Sequence, residues 1–262
     1  MVLFVFEGVR PEENLFNSID NLFLHIGSDK IVCTFHTNIY QLYKEIYGDD
    51  GDVEDVDTVS TLKSWLTTQG DRTLDEFESD SFSEIYLFFD YDPHAAQSNG
   101  LSMAKLNDRV GKMLKLFDNE TEHGKLYVSY PMSEAFRYTK QLPDHDYYKY
   151  TCSWDDCRDF KDKSAQFSHY KNTDFVSYDR CKTDESKQSV RGNWKLLFAQ
   201  NVAKANYICN SVNEIPQDKS TVSQDKIFNG QLTNFVIPYH NISILSAFPL
   251  FMFEYLHTDE YL

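Results

Sequence analysis

The sequence predicts an α/β fold: a four-stranded, mainly parallel sheet flanked by helices, with a helical C-terminal addition. Three observations carry this. Apolar runs at 2–6, 31–35, 85–90 and 125–129 read as buried strands, segments with apolar residues at helical spacing separate them, and two of the runs end in acids. VLFVFEG closes on Glu7, and IYLFFDYD closes on Asp90 and Asp92. Strands alternating with helices imply a parallel sheet, and open sheets of this kind bind ligands at their carboxyl edge. Glu7, Asp90 and Asp92 are therefore expected to converge there. Converging carboxylates repel one another unless a cation lies between them, so a divalent-metal site for Mg²⁺ or Mn²⁺ is the first functional expectation.

After the first strand, Pro11 suits the opening position of a helix whose stripe is Leu15, Ile19, Leu22 and Phe23, with Gly27 as its stop. IVCTF at 31–35 is the second strand. Ile39, Leu42, Tyr43, Ile46 and Tyr47 then recur at helical spacing, with Thr37 or Asn38 as cap and Gly48 as stop. DDGDVEDVD at 49–57 reads as a solvated acidic connector, because it lacks the ligand pattern and closing glutamate of an EF-hand. A short helix over 58–67 leads to the third strand, and Leu106, Val110, Met113, Leu114 and Phe117 mark the helix after it. KLYVSY at 125–130 is the fourth strand, and Pro131 is expected to open a helix through PMSEAFRY.

Residues 1–140 thus form a compact βα unit, expected to be the catalytic domain. Residues 141–262 form a polar insertion followed by a helical subdomain. Within the latter, helical spacing returns at Trp194, Leu197, Phe198, Asn201, Val202, Ala205 and Cys209, a further helix starts at Ser223, and ILSAFPLFMFEYL closes the chain as a buried element.

Composition narrows the classes. The formal charge of −16 opposes coating of nucleic acid by bulk electrostatics, although a bound metal would invert the local field of an acidic site. The most apolar stretch, 242–256, is too short for a bilayer span and carries Pro249 and Glu254. MVLFVFEGV reads as a strand rather than a leader. An odd count of five cysteines fits reduced thiols and a cytoplasmic setting. Cys152 and Cys157, with His169 and Cys181, match no compact zinc module in their spacing.

Three segments also carry a family resemblance. EGVRPEENLF at 7–16 resembles the first motif of Toprim-type nucleases, in particular the RloB-like branch, with Glu7, Gly8 and Glu12 in register and Pro11 where that branch has Thr. FFDYDPH at 88–94 is similar to the Toprim D-x-D motif, and VSYPMSEAFRY at 128–138 to the branch's S-N-P-x-x-E element, with Glu134 at its acidic position and Tyr130 in place of Asn. The resemblance covers roughly residues 1–140. It implies Mg²⁺-dependent cleavage of nucleic-acid phosphodiesters in DNA, RNA or tRNA, with Glu7, Asp90 and Asp92 catalytic and Glu7, Glu12, Asp90 and Asp92 holding metal. It also implies a bacterial anti-phage, abortive-infection setting of the AbiL, PARIS and OLD-like type, with an ABC-type ATPase as partner and a homodimer among the assemblies it allows.

A turn at Asp92–Pro93 would let both aspartates face one ion, while Glu7 would hold a second ion or act as general acid/base. Gly8 would let the backbone bend close to a phosphate. Glu12 and Glu134 have a plainer reading as helix-start acids favoured by the macrodipole. His94 would touch substrate or metal, or serve as a cap. Lys105, Arg109 and Lys112 share one helix face, either solvated or forming a phosphate track. Two competing functions remain. A non-catalytic assembly or sensor subunit would keep these acids for structure. A D-x-D glycosyltransferase would leave Glu7, Gly8 and Glu12 unexplained.

Overall fold

The computed structural model describes residues 1–8, 11–48, 56–94 and 100–256; Val9 and Arg10 of the first motif and most of the acidic connector lie outside them. Strands β1 (Val2–Phe6), β2 (Lys30–Thr34), β3 (Glu84–Asp90), β4 (Asp118–Asn119) and β5 (Gly124–Ser129) build one sheet in the order β2-β1-β3-β5-β4. All neighbours are parallel except the β4–β5 pair. The protein is thus a mixed α/β structure with a mostly parallel sheet. The fifth strand was not expected, because two residues carry no readable alternation.

Side chains alternate across the sheet. Phe4, Phe6, Tyr86, Phe88 and Tyr127 line one face. Phe16 of helix α1 (Pro11–Ile19) stacks on Phe4 at 4.2 Å, and Phe248 of the last helix (Ala247–Tyr255) stacks on Phe88 at 4.9 Å. The opposite face carries Leu3, Val5, Leu87, Phe89, Leu126 and Val128, all buried, and Phe35 packs between Phe89 and Trp65 there. Trp65 belongs to α3 (Thr58–Thr68), which follows α2 (Ile39–Tyr47). Local chemistry sets the helix ends. Asn38 caps α2 by accepting from Gln41 N–H at 3.1 Å, and Asp57 caps α3 through Ser60 N–H at 2.9 Å.

Beyond β5 two expectations are corrected. Pro131 does not open an α-helix. Tyr130 exchanges backbone hydrogen bonds with Leu245, and the Pro131 carbonyl accepts from Asp92 N–H, so the chain stays extended until a tight helical turn at Ser133–Arg137. Nor is the C-terminal portion helical throughout: β6 (Thr151–Ser153) and β7 (Asn241–Ser243) form an antiparallel pair. Helix α4 (Met103–Leu116) lies between β3 and β4, and the C-terminal portion adds α5 (Phe160–Phe167), α6 (Asp184–Asn210), α7 (Gln224–Gln231) and, as α8, Ala247–Tyr255. One continuous apolar core joins α6 and α8 to the sheet.

The long helix α6 clamps α1. Trp194 Nε1 donates to Ser18 Oγ at 3.0 Å, and the Arg191 guanidinium donates to the Leu22 carbonyl. Farther along, buried Lys204 donates to the carbonyls of Tyr147 and Tyr150 at 3.0 and 2.7 Å, and burial drives its amine well below the lysine range. Among the described residues no helix is long and apolar enough to cross a membrane.

Candidate functional site

The strand order places β1 between β2 and β3, so the chain leaves β1 towards one side of the sheet and returns on the other. The crevice outside the carboxyl ends of β1 and β3 is the switch point where such sheets accept ligands. Glu7 comes directly after β1, and Asp90 is the last residue of β3. Glu7 N–H donates to the Phe88 carbonyl at 3.0 Å, and Asp90 N–H returns a bond to Glu7 Oε2 at 2.9 Å.

Asp90 shares the parity of Phe88 and therefore the sheet face covered by α1, which supplies Glu12. The tight turn at 133–137 supplies Glu134 to the same place. Like charges make the convergence measurable. The Glu7 carboxyl is pushed up to about 8, first by burial and then by Asp92, Glu12 and Glu134, against the opposing Asp90 N–H bond. Asp90 lies well above the carboxylate range through burial and the charges of Glu7, Glu12 and Glu134. Burial also raises Glu12, with Glu134 adding repulsion and Lys161 relieving part of it.

Asp92 bears on Glu7 and also on Tyr40 and Cys157. Its placement comes from Tyr91, the residue between the two aspartates. Tyr91 is buried against Tyr130 and Trp154, its hydroxyl donates to Asn107 Oδ1 at 2.5 Å, and its carbonyl accepts from the Tyr40 hydroxyl. Asp92 Oδ1 accepts from His94 N–H at 3.1 Å, which makes the expected turn at Asp92–Pro93. His94 itself is half-buried beside it.

Gly8 also makes room for a neighbouring acid. A Cβ at this position would lie 3.1 Å from Glu12 Oε2 and 3.4 Å from Oε1, so the missing side chain gives the Glu12 carboxyl its room. Glu12 Oε2 is buried and has no hydrogen-bond partner among the described residues. Such an orphan costs about 1–3 kcal/mol if nothing binds it.

The all-oxygen donor set Glu7, Glu12, Asp90, Asp92 and Glu134 suits a hard cation such as Mg²⁺, and the orphaned Glu12 oxygen suits one in particular. Among the described residues, however, no three His, Cys, Asp or Glu side chains stand as a ready-made metal shell. Instead, Glu7 accepts from Asp90 N–H, Asp92 accepts from His94 N–H, and Glu134 Oε1 pairs with Lys161 Nζ at 3.4 Å. Closing a shell would require side-chain rotation.

The basic face of α4 has partners of its own. Arg109 lies over the Tyr43 ring of α2 at 4.8 Å, Lys112 pairs with Asp108 at 3.4 Å, and Lys105 is exposed. Among the described residues, Lys161 pairs with Glu134 and bears on Glu12, and the sequence did not single it out. Ser133 was also missed. Its hydroxyl lies 3.4 Å from Glu134 Oε2, and its polar groups favour the ionised forms of Asp90 and Glu12. Tyr40 is the third omission, and nothing but its place at a helix start marked it. Of the cysteines, Cys152 and Cys157 meet with sulfurs 3.9 Å apart, while Cys181 faces the Ser177 carbonyl instead. Comparison with protein-family models, with curated proteins and with solved structures finds no significant match for this chain.

Proposed function

We propose that this chain is a metal-dependent nuclease of the Toprim type, hydrolysing phosphodiesters of DNA or RNA, including tRNA, with Mg²⁺ or Mn²⁺. The observation that carries the reading is the buried, unpartnered Glu12 carboxylate oxygen within a cluster of five acids at the switch point of a mostly parallel sheet. Charges gathered in this way destabilise a chain unless a cation or substrate uses them. The Toprim motifs add the reaction class, and through it the wider setting: an effector of anti-phage defence, cytoplasmic, restrained or triggered by an ABC-type ATPase, and able to pair with a second copy.

Glu7, Glu12, Asp90 and Asp92 would hold the ion, which when bound neutralises phosphate charge and acidifies a water. The chain's own contribution is positional. Tyr40 and Asn107 fix Tyr91 and with it the spacing of Asp90 and Asp92. Ser133 stands against Glu134 and favours charge on Asp90 and Glu12, and Gly8 leaves room for the Glu12 carboxyl. The test is cleavage of single-stranded DNA, duplex DNA and tRNA by the purified chain, alone and with a candidate ABC-type ATPase partner. Cleavage that needs Mg²⁺ or Mn²⁺ and disappears in Asp90→Asn supports the reading.

A second reading has its own observation. The raised carboxyls favour protonated acids, and no ready-made metal shell stands among the described residues. An assembly or sensor subunit with a structural acid cluster would show no cleavage under any of these conditions.

A further inference from the structure

Beside the carboxylates lies a pocket of about 280 Å³ that shares Pro11 and Glu134 with them and is lined by Arg137, Lys161, Asp174 and Arg180. The cations arrive from three separate elements: the turn at 133–137, α5, and the turn at Tyr178–Arg180. Arg137 is the unusual one. It is only 5% exposed, yet among the described residues it forms no ion pair. Its Nη1 donates to Asn172 Oδ1 at 3.1 Å and its Nη2 to the Lys161 carbonyl at 3.2 Å, both neutral acceptors, and its buried Nε–H has no partner. A guanidinium carries five donors and a permanent charge. Burying it without an anion is costly, and its planar fork matches phosphate.

The other two cations are held loosely. Lys161 pairs with Glu134 at 3.4 Å and Arg180 with Asp174 at 2.7 Å, but the side chains of Lys161 and Arg180 are 70% and 64% exposed. Exposed pairs of this kind contribute little and exchange partners easily. Both can turn to a ligand while Arg137 stays fixed.

We propose that this pocket is a phosphate subsite, in which Arg137, Lys161 and Arg180 hold one backbone phosphate of a nucleic-acid strand whose neighbouring phosphate lies at the carboxylates. The identity of the strand rests on the nuclease reading; the phosphate chemistry rests on the pocket. Phosphate contacts of this kind position a strand without reading its bases, so the subsite serves any sequence.

The test uses the full chain in EDTA at pH 6.5, where no metal contributes. A fluorescein-labelled oligothymidylate is titrated by anisotropy, and inorganic phosphate is followed separately by its stabilisation of the thermal melt. The variants are Arg137→Gln and the double variant Lys161→Gln/Arg180→Gln, whose surface positions leave folding intact. The proposal expects oligonucleotide affinity to fall at least about tenfold in both variants. The slope of log K against log salt should flatten by about 0.7 per lost contact, and phosphate should compete with the strand. Variants that bind the strand as the parent does overturn the subsite. If Mg²⁺-dependent cleavage is then still lost in Asp90→Asn, the nuclease reading stands without it. A parent that binds phosphate through these residues but no strand overturns the assignment to nucleic acid, while the nuclease reading is still judged by Mg²⁺-dependent cleavage and its loss in Asp90→Asn.

Discussion

The backbone N–H of Asp90 donates to Glu7 Oε2 at 2.9 Å, which joins the acids at the ends of β1 and β3 by a bond between one main chain and the other side chain. The bond favours an ionised Glu7, yet burial and three neighbouring acids outweigh it and lift the Glu7 carboxyl to about 8. The metal-free cluster therefore holds protons that the unfolded chain gives up.

This sets the pH dependence of stability. A carboxyl raised from 4.5 to about 8 contributes stability that is fully present below the unfolded value and is lost as pH rises through the folded one. Asp90 and Glu12 shift in the same direction. In EDTA the chain should lose stability steadily between about pH 4.5 and 8, by up to about 1.4 kcal/mol per pH unit for each such group. Urea unfolding at several pH values checks the slope; rising stability over this window would contradict it.

Removing one repelling charge should help the metal-free protein. Glu7→Gln keeps an acceptor for Asp90 N–H and should raise stability at pH 8 by about 1–3 kcal/mol, with little effect at pH 5. Comparing the two midpoints isolates the charge from the loss of packing.

Gly8→Ala should strike the site rather than the fold. The added methyl would stand 3.1 Å from Glu12 Oε2 and force that carboxyl aside. Cleavage should fall at least about tenfold while the melting temperature moves by only a few degrees. Unchanged cleavage would show that Glu12 is not needed where it lies.

Tyr40→Phe removes the hydroxyl that holds the Tyr91 carbonyl between the two aspartates. The buried carbonyl then loses its bond, at a cost of about 1–2 kcal/mol. Because the aspartates are positioned through Tyr91, kcat should drop with KM little changed, and Tyr91→Phe, which frees Asn107, should show a weaker version of the same effect.

The strands were legible because each is a short apolar run bounded by polar residues: β1 falls where expected, β2 shifts by a residue, and β3 and β5 begin one residue earlier. The acids Glu7 and Asp90 were legible for the same reason, since a strand that ends at the sheet's carboxyl edge delivers its last residues there. Asn38 and Gly48 announced the ends of α2 through their own chemistry, and Ser223 stands at the N-cap of α7 as expected, although its hydroxyl donates to Asp225 rather than capping the helix. The features that escaped depend on distant partners. The helix expected at Pro131 is prevented by Leu245, more than a hundred residues away, and the three-residue strands β6 and β7 have no period to read. Ser133, Lys161 and Tyr40 reach the acids through packing, and no local pattern marks a serine or lysine for that. Arg137 was invisible for a related reason: its lack of an acid partner is a property of the folded neighbourhood.

The most direct measurement is the melting temperature of the chain at pH 7.5 with and without Mg²⁺, set against Asp90→Ala. If the carboxylates form a cation site, Mg²⁺ at about a hundred times its dissociation constant should stabilise the parent by about 2.7 kcal/mol. Asp90→Ala should fold, should match or exceed the parent in EDTA, and should gain far less from Mg²⁺. A parent indifferent to Mg²⁺, together with an Asp90→Ala variant that unfolds, would make the acids structural and contradict the account.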